Sequence, residues 1–160
     1  MFLCADENPD VPMPANESGI TAYFDLVRLT PLLERTRGRP EIKVGLIDGP
    51  VAIEHPDLAQ ENIQELRGEF AGTCALSNSA ACKHGTFVAG ILLAKRGSAA
   101  PAICPGRTLL VRSIFPETNS GNGNMPSATP EELASAIVET INCRNRRTAI
   151  WRVSFVMYSP

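Results

Sequence analysis

Hydrophobic residues are grouped along this chain in short blocks whose spacing predicts alternating strands and helices. Residues 41–48, EIKVGLID, are largely apolar and β-branched, which is typical of a buried parallel strand. Residues 84–95, HGTFVAGILLAK, predict an apolar helix that ends near Arg96, with basic residues in its last turn and a capping glycine. Residues 108–115, TLLVRSIF, predict a second strand.

The last third of the chain predicts one more helix and one more strand. Thr129 is suited to cap a helix, and Glu132 completes a capping box with it. Pro130 fits the first helical position, and the helix is predicted to run to about Ile141. Residues 148–158, TAIWRVSFVMY, have the alternation of a strand. Strands and helices thus alternate, and this order predicts an α/β fold with a parallel sheet.

The remaining segments carry weaker patterns. Residues 1–19 are polar and contain three prolines, so we expect a flexible leader. The apolar positions after Thr21 recur at helical spacing, and Pro31 is expected to split them into two short helices. Loops are predicted between the first strand and His84 and over the glycine-rich NSGNGN segment. We therefore expect a leader followed by one domain over residues 20–160.

Composition excludes several classes of function. The chain has 160 residues, which suits one core, with 44% hydrophobic and 20% charged residues and a net charge of −2. It has no basic stripe for nucleic acid. The arginines near the C-terminus are expected to form a solvated face; they are Arg144, Arg146, Arg147 and Arg152. No apolar run reaches the length of a membrane span.

The expected compartment decides the predicted state of the cysteines. The N-terminus has no signal-peptide pattern, so the sequence predicts a cytoplasmic protein with reduced thiols. Cys74 and Cys82 lie close enough in sequence to pair if the protein were exported. No CxxC pair is present, so neither a metal site nor another cofactor is predicted. A Cys–His nucleophile has little support with only His55 and His84 available.

Two residues carry candidate chemistry. Asp48 ends the first strand, and ligands of open α/β sheets bind beyond the carboxyl ends of strands. A carboxylate there can fix an imidazole, although a strand-end Asp is often only a turn former. His84 is predicted to open its helix, where a cation is disfavoured and a neutral ring can act as a base. Gly85 is expected to leave space above that ring for a substrate backbone.

Taken together, the segments VGLIDGPV, HPDL and HGTFVAG resemble the subtilisin-like serine proteases in order and spacing. The similarity extends from about Glu41 to Ile141. It implies a three-layer α/β fold with a parallel sheet, incomplete at the C-terminus, and a peptide or protein substrate. By the same resemblance Asp48 orients His84, and His84 deprotonates a serine that comes later in the chain, the order known for subtilisin.

The resemblance also assigns other positions. His55, in HPDL, matches a recurrent non-catalytic position, and Gly90 matches the glycine that lets the histidine helix pack closely on the sheet. Most members of the family have Thr-Gly or Ser-Gly after the triad Asp, whereas here Gly49-Pro50 follows. The DGPV form looks like the proteases that process the precursor peptides of cyanobactin-type natural products.

One motif of the family is missing. Gly-Thr-Ser-x-Ala-x-Pro, which holds the nucleophile, occurs nowhere in the 160 residues. Ser98 and Ser127 lack its context, and neither is assigned as the nucleophile. Two hypotheses therefore stand: part of a serine endopeptidase that is inactive without the serine, or a non-catalytic peptide-binding pseudo-protease, with truncation or a frame shift as the origin of the divergent residues 141–160. A nucleotide-binding domain is disfavoured because no glycine-rich phosphate loop follows Asp48.

Overall fold

The computed structural model describes residues 24–99, 102–118 and 127–143. The chain divides into two compact units, Met1–Arg35 and Thr36–Pro160. The elements, in chain order, are α1 (Thr30–Arg35), β1 (Lys43–Asp48), β2 (Ile63–Glu65), α2 (Ala80–Leu93), β3 (Thr108–Ser113) and α3 (Pro130–Asn142). Helix α1 belongs to the first unit, and the other elements belong to the second.

The first unit contains the break that the sequence predicts, but at a different residue. Arg28 has a φ of 57°, in the left-handed region, and separates a helical turn at 24–26 from α1. Pro31 lies in the first turn of α1. Backbone N–H groups in a first turn have no partner within the helix, so the missing N–H of proline costs no hydrogen bond there. Leu26 and Val27 are largely exposed, so the apolar spacing here forms no buried stripe among the described residues.

The sheet has three parallel strands in the order β1-β3-β2. All residues of β3 are buried, and all of β1 except Lys43, as expected for strands covered on both faces. Strand β2 was not predicted, because three residues with two exposed carry no readable periodicity. The parallel α/β arrangement predicted from the sequence is confirmed.

Helices cover the two faces of the sheet. One core cluster joins β1 and β3 to α2 through Leu46, Val111 and Val88. A second cluster joins Ile47 of β1 to Ala136 of α3. Successive side chains of a strand point to opposite faces, so Leu46 and Ile47 face different helices. The second unit is therefore a helix–sheet–helix sandwich, the predicted three-layer order.

Helix α2 is displaced from its predicted bounds. It begins at Ala80, not at His84, because the Ser79 hydroxyl accepts the backbone N–H of Cys82 at 3.1 Å and caps the helix there. It ends at Leu93 without a basic residue in its last turn. Helix α3 has the predicted Thr129 cap and a complete capping box with Glu132.

Several predicted features lie outside the described residues: the leader at 1–19, the NSGNGN segment, the strand at 148–158 and the four C-terminal arginines. Among the described residues, no helix combines the length and the apolar character that crossing a bilayer requires.

Candidate active site

Strand geometry directs Asp48 toward α2. Leu46 and Asp48 are two residues apart on β1 and so share the face on which Leu46 packs with α2. Asp48 is the last residue of the strand and pairs in register with Ser113, the last residue of β3. The carboxylate therefore lies at the carboxyl edge of the sheet, where the sequence predicted it, and only 1% of the residue is exposed.

Asp48 and His84 form a hydrogen-bonded pair. Asp48 Oδ1 lies 2.8 Å from His84 Nδ1 and accepts a second hydrogen bond, of 2.6 Å, from the backbone N–H of Gly49. An ionised carboxylate only accepts hydrogen bonds, so Nδ1 of the ring is the donor. A neutral ring then carries its proton on Nδ1, and Nε2 is left as the basic nitrogen. The His84 side chain keeps 23% of its surface exposed.

The buried carboxylate is incompletely satisfied. Asp48 Oδ2 has no hydrogen-bond partner among the described residues. A buried oxygen without a partner costs free energy, and such groups often mark functional sites. Asp48 thus keeps a spare acceptor at the edge of the sheet, next to its bond with His84.

Two glycines set the distance between the strand end and α2. A Cβ added at Gly49 would lie 2.2 Å from the carbonyl oxygen of Ala81, and one added at Gly85 would lie 2.5 Å from those of Gly49 and Pro50. Real Cβ atoms do not approach so closely, so any larger residue would push α2 away from β1. The HGT segment therefore contributes close backbone packing, and the expectation that Gly85 opens space for a substrate is wrong.

Thr86 adds a polar link at the same junction. Its hydroxyl accepts the backbone N–H of Ala52 at 2.9 Å, which connects α2 to the segment after β1. His84 lies in the second turn of α2, beyond the first turn that follows the cap at Ser79. The field of a helix terminus falls off within one turn, so the predicted effect of the N-terminus on His84 is lost. The ring is instead in hydrogen-bond contact with Asp48.

Gly90 does not have the packing role that the family resemblance assigned to it. An added Cβ there would meet no described atom within 4 Å. The close approach of α2 to the segment after β1 is made at Gly85, in the second turn of the helix. The glycine of the HGT motif is therefore the one that makes this close approach.

The other candidate residues lie elsewhere. His55 is half exposed, and its Nδ1 accepts the backbone N–H of Asp57 at 3.2 Å within a turn. Ser98 follows the C-terminal end of α2, with its N–H bonded to the carbonyl of Lys95. Ser127 is an exposed residue just before the α3 cap. The structure thus gives these three residues local turn or loop positions.

Cys74 and Cys82 are joined by a disulfide, with their Cα atoms 5.7 Å apart. The expectation that all cysteines are reduced is therefore wrong for this pair. Cys104 and Cys143 are free thiols among the described residues, and burial raises the pKa of Cys104. The disulfide connects residue 74 to the first turn of α2, just ahead of His84.

A separate cleft of about 400 Å³ opens between α3 and the segment at 68–70. Its charged lining residues are Arg112, Glu69, Glu131, Glu132 and Glu139. It contains neither Asp48 nor His84, so this cleft is distinct from the candidate active site.

Comparison with known proteins identifies the fold. A mutant of the protease domain of PatA superposes with a TM-score of 0.58 and 28% identity, covering 66% of this chain and 36% of that one. The prenylagaramide maturation protease PagA superposes with a TM-score of 0.56 and 26% identity, covering 71% and 35%. The PatG macrocyclase domain shares the fold at 14% identity, with a TM-score of 0.56, and covers 80% and 52%. No protein-family model and no curated protein matches the sequence.

These similarities confirm the resemblance drawn from the motifs. The chain has part of the subtilisin-like fold and is similar to cyanobactin maturation protease domains. It spans about a third of the length of the two protease chains that it matches.

Proposed function

We propose that this chain supplies the aspartate and the histidine of a subtilisin-like serine endopeptidase. One observation carries the proposal: the hydrogen bond of 2.8 Å between Asp48 Oδ1 and His84 Nδ1, made by a buried carboxylate and a partly exposed ring. The similarity to protease domains supports it, as does the position of Asp48 at the carboxyl edge of the parallel sheet.

In the proposed reaction each residue has a distinct role. His84 takes the proton of a serine hydroxyl through Nε2 as the serine attacks a peptide carbonyl, and then gives that proton to the leaving amine. Asp48 keeps the ring in the tautomer with the proton on Nδ1 and stabilises the imidazolium that forms. The close packing at Gly49 and Gly85 keeps the two side chains in contact during both steps.

The nucleophile must come from outside these residues. The family motif Gly-Thr-Ser-x-Ala-x-Pro does not occur in the sequence, so the proposed hydrolysis requires a polypeptide segment that provides it. We propose a peptide substrate of the precursor type, because PatA and PagA, to which the chain is similar, are a protease domain and a maturation protease.

A non-catalytic function is the second candidate. The missing motif favours it, because a chain with the cleft but without the serine would bind peptides and not cleave them. The two candidates differ in a measurable way: only the peptidase loses an activity when His84 is replaced.

The test uses this chain extended through any coding sequence that follows it. We expect a serine-bearing segment there, and we expect the extended protein to cleave peptides and to react with a fluorophosphonate. His84→Ala should lower the turnover number by roughly 10⁴-fold or more, since subtilisin loses about 10⁶-fold without its histidine. Asp48→Asn should lower it by about 10⁴-fold, because the ring is then held in the wrong tautomer.

His55→Ala is the matched control, a histidine in a turn of the same domain, and should keep most of the activity. Equal losses for His55→Ala and His84→Ala would overturn the assignment. If no reading frame downstream encodes a serine segment, the peptidase proposal fails and the peptide-binding candidate remains.

A further inference from the structure

Three potential metal ligands converge beside the first turn of α2. The sulfurs of Cys74 and Cys82 and a carboxylate oxygen of Glu117 all lie within 4.8 Å of one another. Cys82 is buried, and the other two residues are partly buried. Glu117 follows β3 in sequence, so the group joins residues from three separate parts of the second unit.

The carboxylate of Glu117 is held in place by its own hydrogen bonds. Its Oε2 accepts the N–H of Ala75 at 2.7 Å, and its Oε1 accepts the N–H of Leu76 at 2.9 Å. The Ser79 hydroxyl donates to the same Oε1 at 3.3 Å. Outer partners of this kind orient a ligating carboxylate, and Oε2, which accepts only one of these bonds, keeps a further lone pair for an ion.

We propose that Cys74, Cys82 and Glu117 bind Zn²⁺ when the disulfide is reduced. Two thiolates and one carboxylate suit Zn²⁺, with water as a fourth ligand. A dithiol reductant supplies two electrons and two protons to break the S–S bond, and it is itself oxidised to a disulfide. Each thiol then releases its proton to solvent as its sulfur binds the ion.

The backbone at Cys74 and Cys82 permits both a disulfide and a shared Zn²⁺ ion. Zn–S bonds of about 2.3 Å in a tetrahedral site hold two sulfurs roughly 3.8 Å apart. The Cα atoms of Cys74 and Cys82 are 5.7 Å apart. That separation suits a disulfide, and it also suits two cysteines that share one ion once their side chains rotate. The sequence did not reveal this site, because its ligands are not arranged as a CxxC pair.

Both the disulfide and the bound Zn²⁺ would hold residues 74–82 against the start of α2. Residues 74–82 contain Ser79, which caps α2, and α2 carries His84. The disulfide ties this segment to the helix in an oxidising compartment, and Zn²⁺ would tie it in a reducing one. The site therefore maintains the position of the helix in both environments.

The experiment measures Zn²⁺ binding to the whole chain before and after reduction with a phosphine. We expect one ion per reduced chain in competition with a chromophoric chelator, and at least tenfold weaker binding to the oxidised chain. Co²⁺ used as a probe should give sulfur-to-metal charge-transfer absorption with the reduced chain alone. Cys74→Ser, Cys82→Ser and Glu117→Gln should each weaken Zn²⁺ binding at least tenfold.

Matched controls separate this site from adventitious thiols. Cys104→Ser and Cys143→Ser remove the other described cysteines and should leave the affinity unchanged, as should Glu69→Gln. The comparison of reduced with oxidised chain needs no variant, so a variant that fails to fold does not decide the result. Equal affinity of the two forms, or a loss of binding in Cys104→Ser or Cys143→Ser, would overturn the proposal.

Discussion

Two glycines on the same helix have opposite surroundings. Gly85 lies against the backbone carbonyls that follow β1, so closely that a Cβ at this position would clash with them. Gly90 has open space around its Cα, within the described part of the chain. In a helix interior glycine is destabilising relative to alanine, so only a packing reason justifies it. Gly85 has such a reason, and Gly90 has none among its described neighbours.

This contrast leads to a prediction for a pair of alanine variants. Gly85→Ala should lower the free energy of unfolding by about 1–3 kcal/mol, because its Cβ would force apart two backbone segments. Gly90→Ala should raise it by roughly 0.5–1 kcal/mol through helix propensity alone. Urea denaturation of the two variants and the parent chain measures both. A destabilised Gly90→Ala, or a neutral Gly85→Ala, would contradict this account.

At the same scale, sequence and structure agree where chemistry is local. The resemblance of the segments around Asp48 and His84 to the subtilisin-like proteases predicted that the two residues come together, and the two are hydrogen-bonded. The packing of Gly85 was not predictable, because it depends on which carbonyls a folded neighbour brings close. The Cys74–Cys82 disulfide contradicts the expectation of reduced thiols, because spacing alone does not fix the redox state of a thiol.

At the scale of elements, α3 is the helix whose start was best predicted. Thr129 Oγ1 accepts the N–H of Glu132 at 3.2 Å, and Glu132 Oε2 accepts the N–H of Thr129 at 2.5 Å. These bonds form within four consecutive residues, so the sequence alone encodes them. The start of α2 was missed because its cap, Ser79, lies in a stretch without hydrophobic periodicity. Strand β2 was missed because it has only three residues, two of them exposed, and so carries no periodicity.

The capping box of α3 gives a prediction for pH dependence. The backbone N–H of Thr129 lowers the pKa of Glu132 in the folded chain below its ordinary value. The stabilisation that this bond provides is thus complete above the pKa of the unfolded state. It is lost as the pH falls through the lower pKa of the folded state. A glutamine accepts the same bond without titrating in that range.

We therefore compare parent chain and Glu132→Gln by urea denaturation from neutral to acid pH. Between neutral and acid pH, the free energy of unfolding of the parent should fall by more than that of Glu132→Gln. The variant should therefore gain stability relative to the parent as the pH falls. Glu131→Gln, in the same first turn of α3, is the control and should follow the parent. Parallel curves for parent and Glu132→Gln would show that the capping carboxylate does not contribute in this way.

At the scale of the whole second unit, the two helical layers are attached to the sheet by different means. Helix α2 packs through a large apolar cluster and the close backbone contact at Gly85. Helix α3 has a smaller apolar cluster, and a charged pair supplements it. Arg112 of β3 is buried and donates through Nε to Glu139 of α3 at 2.5 Å. It also donates through Nη1 to the carbonyl of Ser113.

This charged pair gives the last prediction, which concerns how α3 is held on the sheet. Glu139→Ala would leave the Arg112 guanidinium buried with the carbonyl of Ser113 as its main partner. We expect a loss of roughly 1–2 kcal/mol, below the 3–5 kcal/mol typical of fully buried pairs, because Glu139 is partly exposed. The double variant Arg112→Met/Glu139→Leu should recover most of that loss, since no charge then remains buried. Urea denaturation measures the stabilities, and hydrogen exchange should show faster opening of α3 than of α2 in Glu139→Ala. Equal destabilisation of single and double variants would instead show that side-chain packing, and not the buried charge, holds the third layer in place.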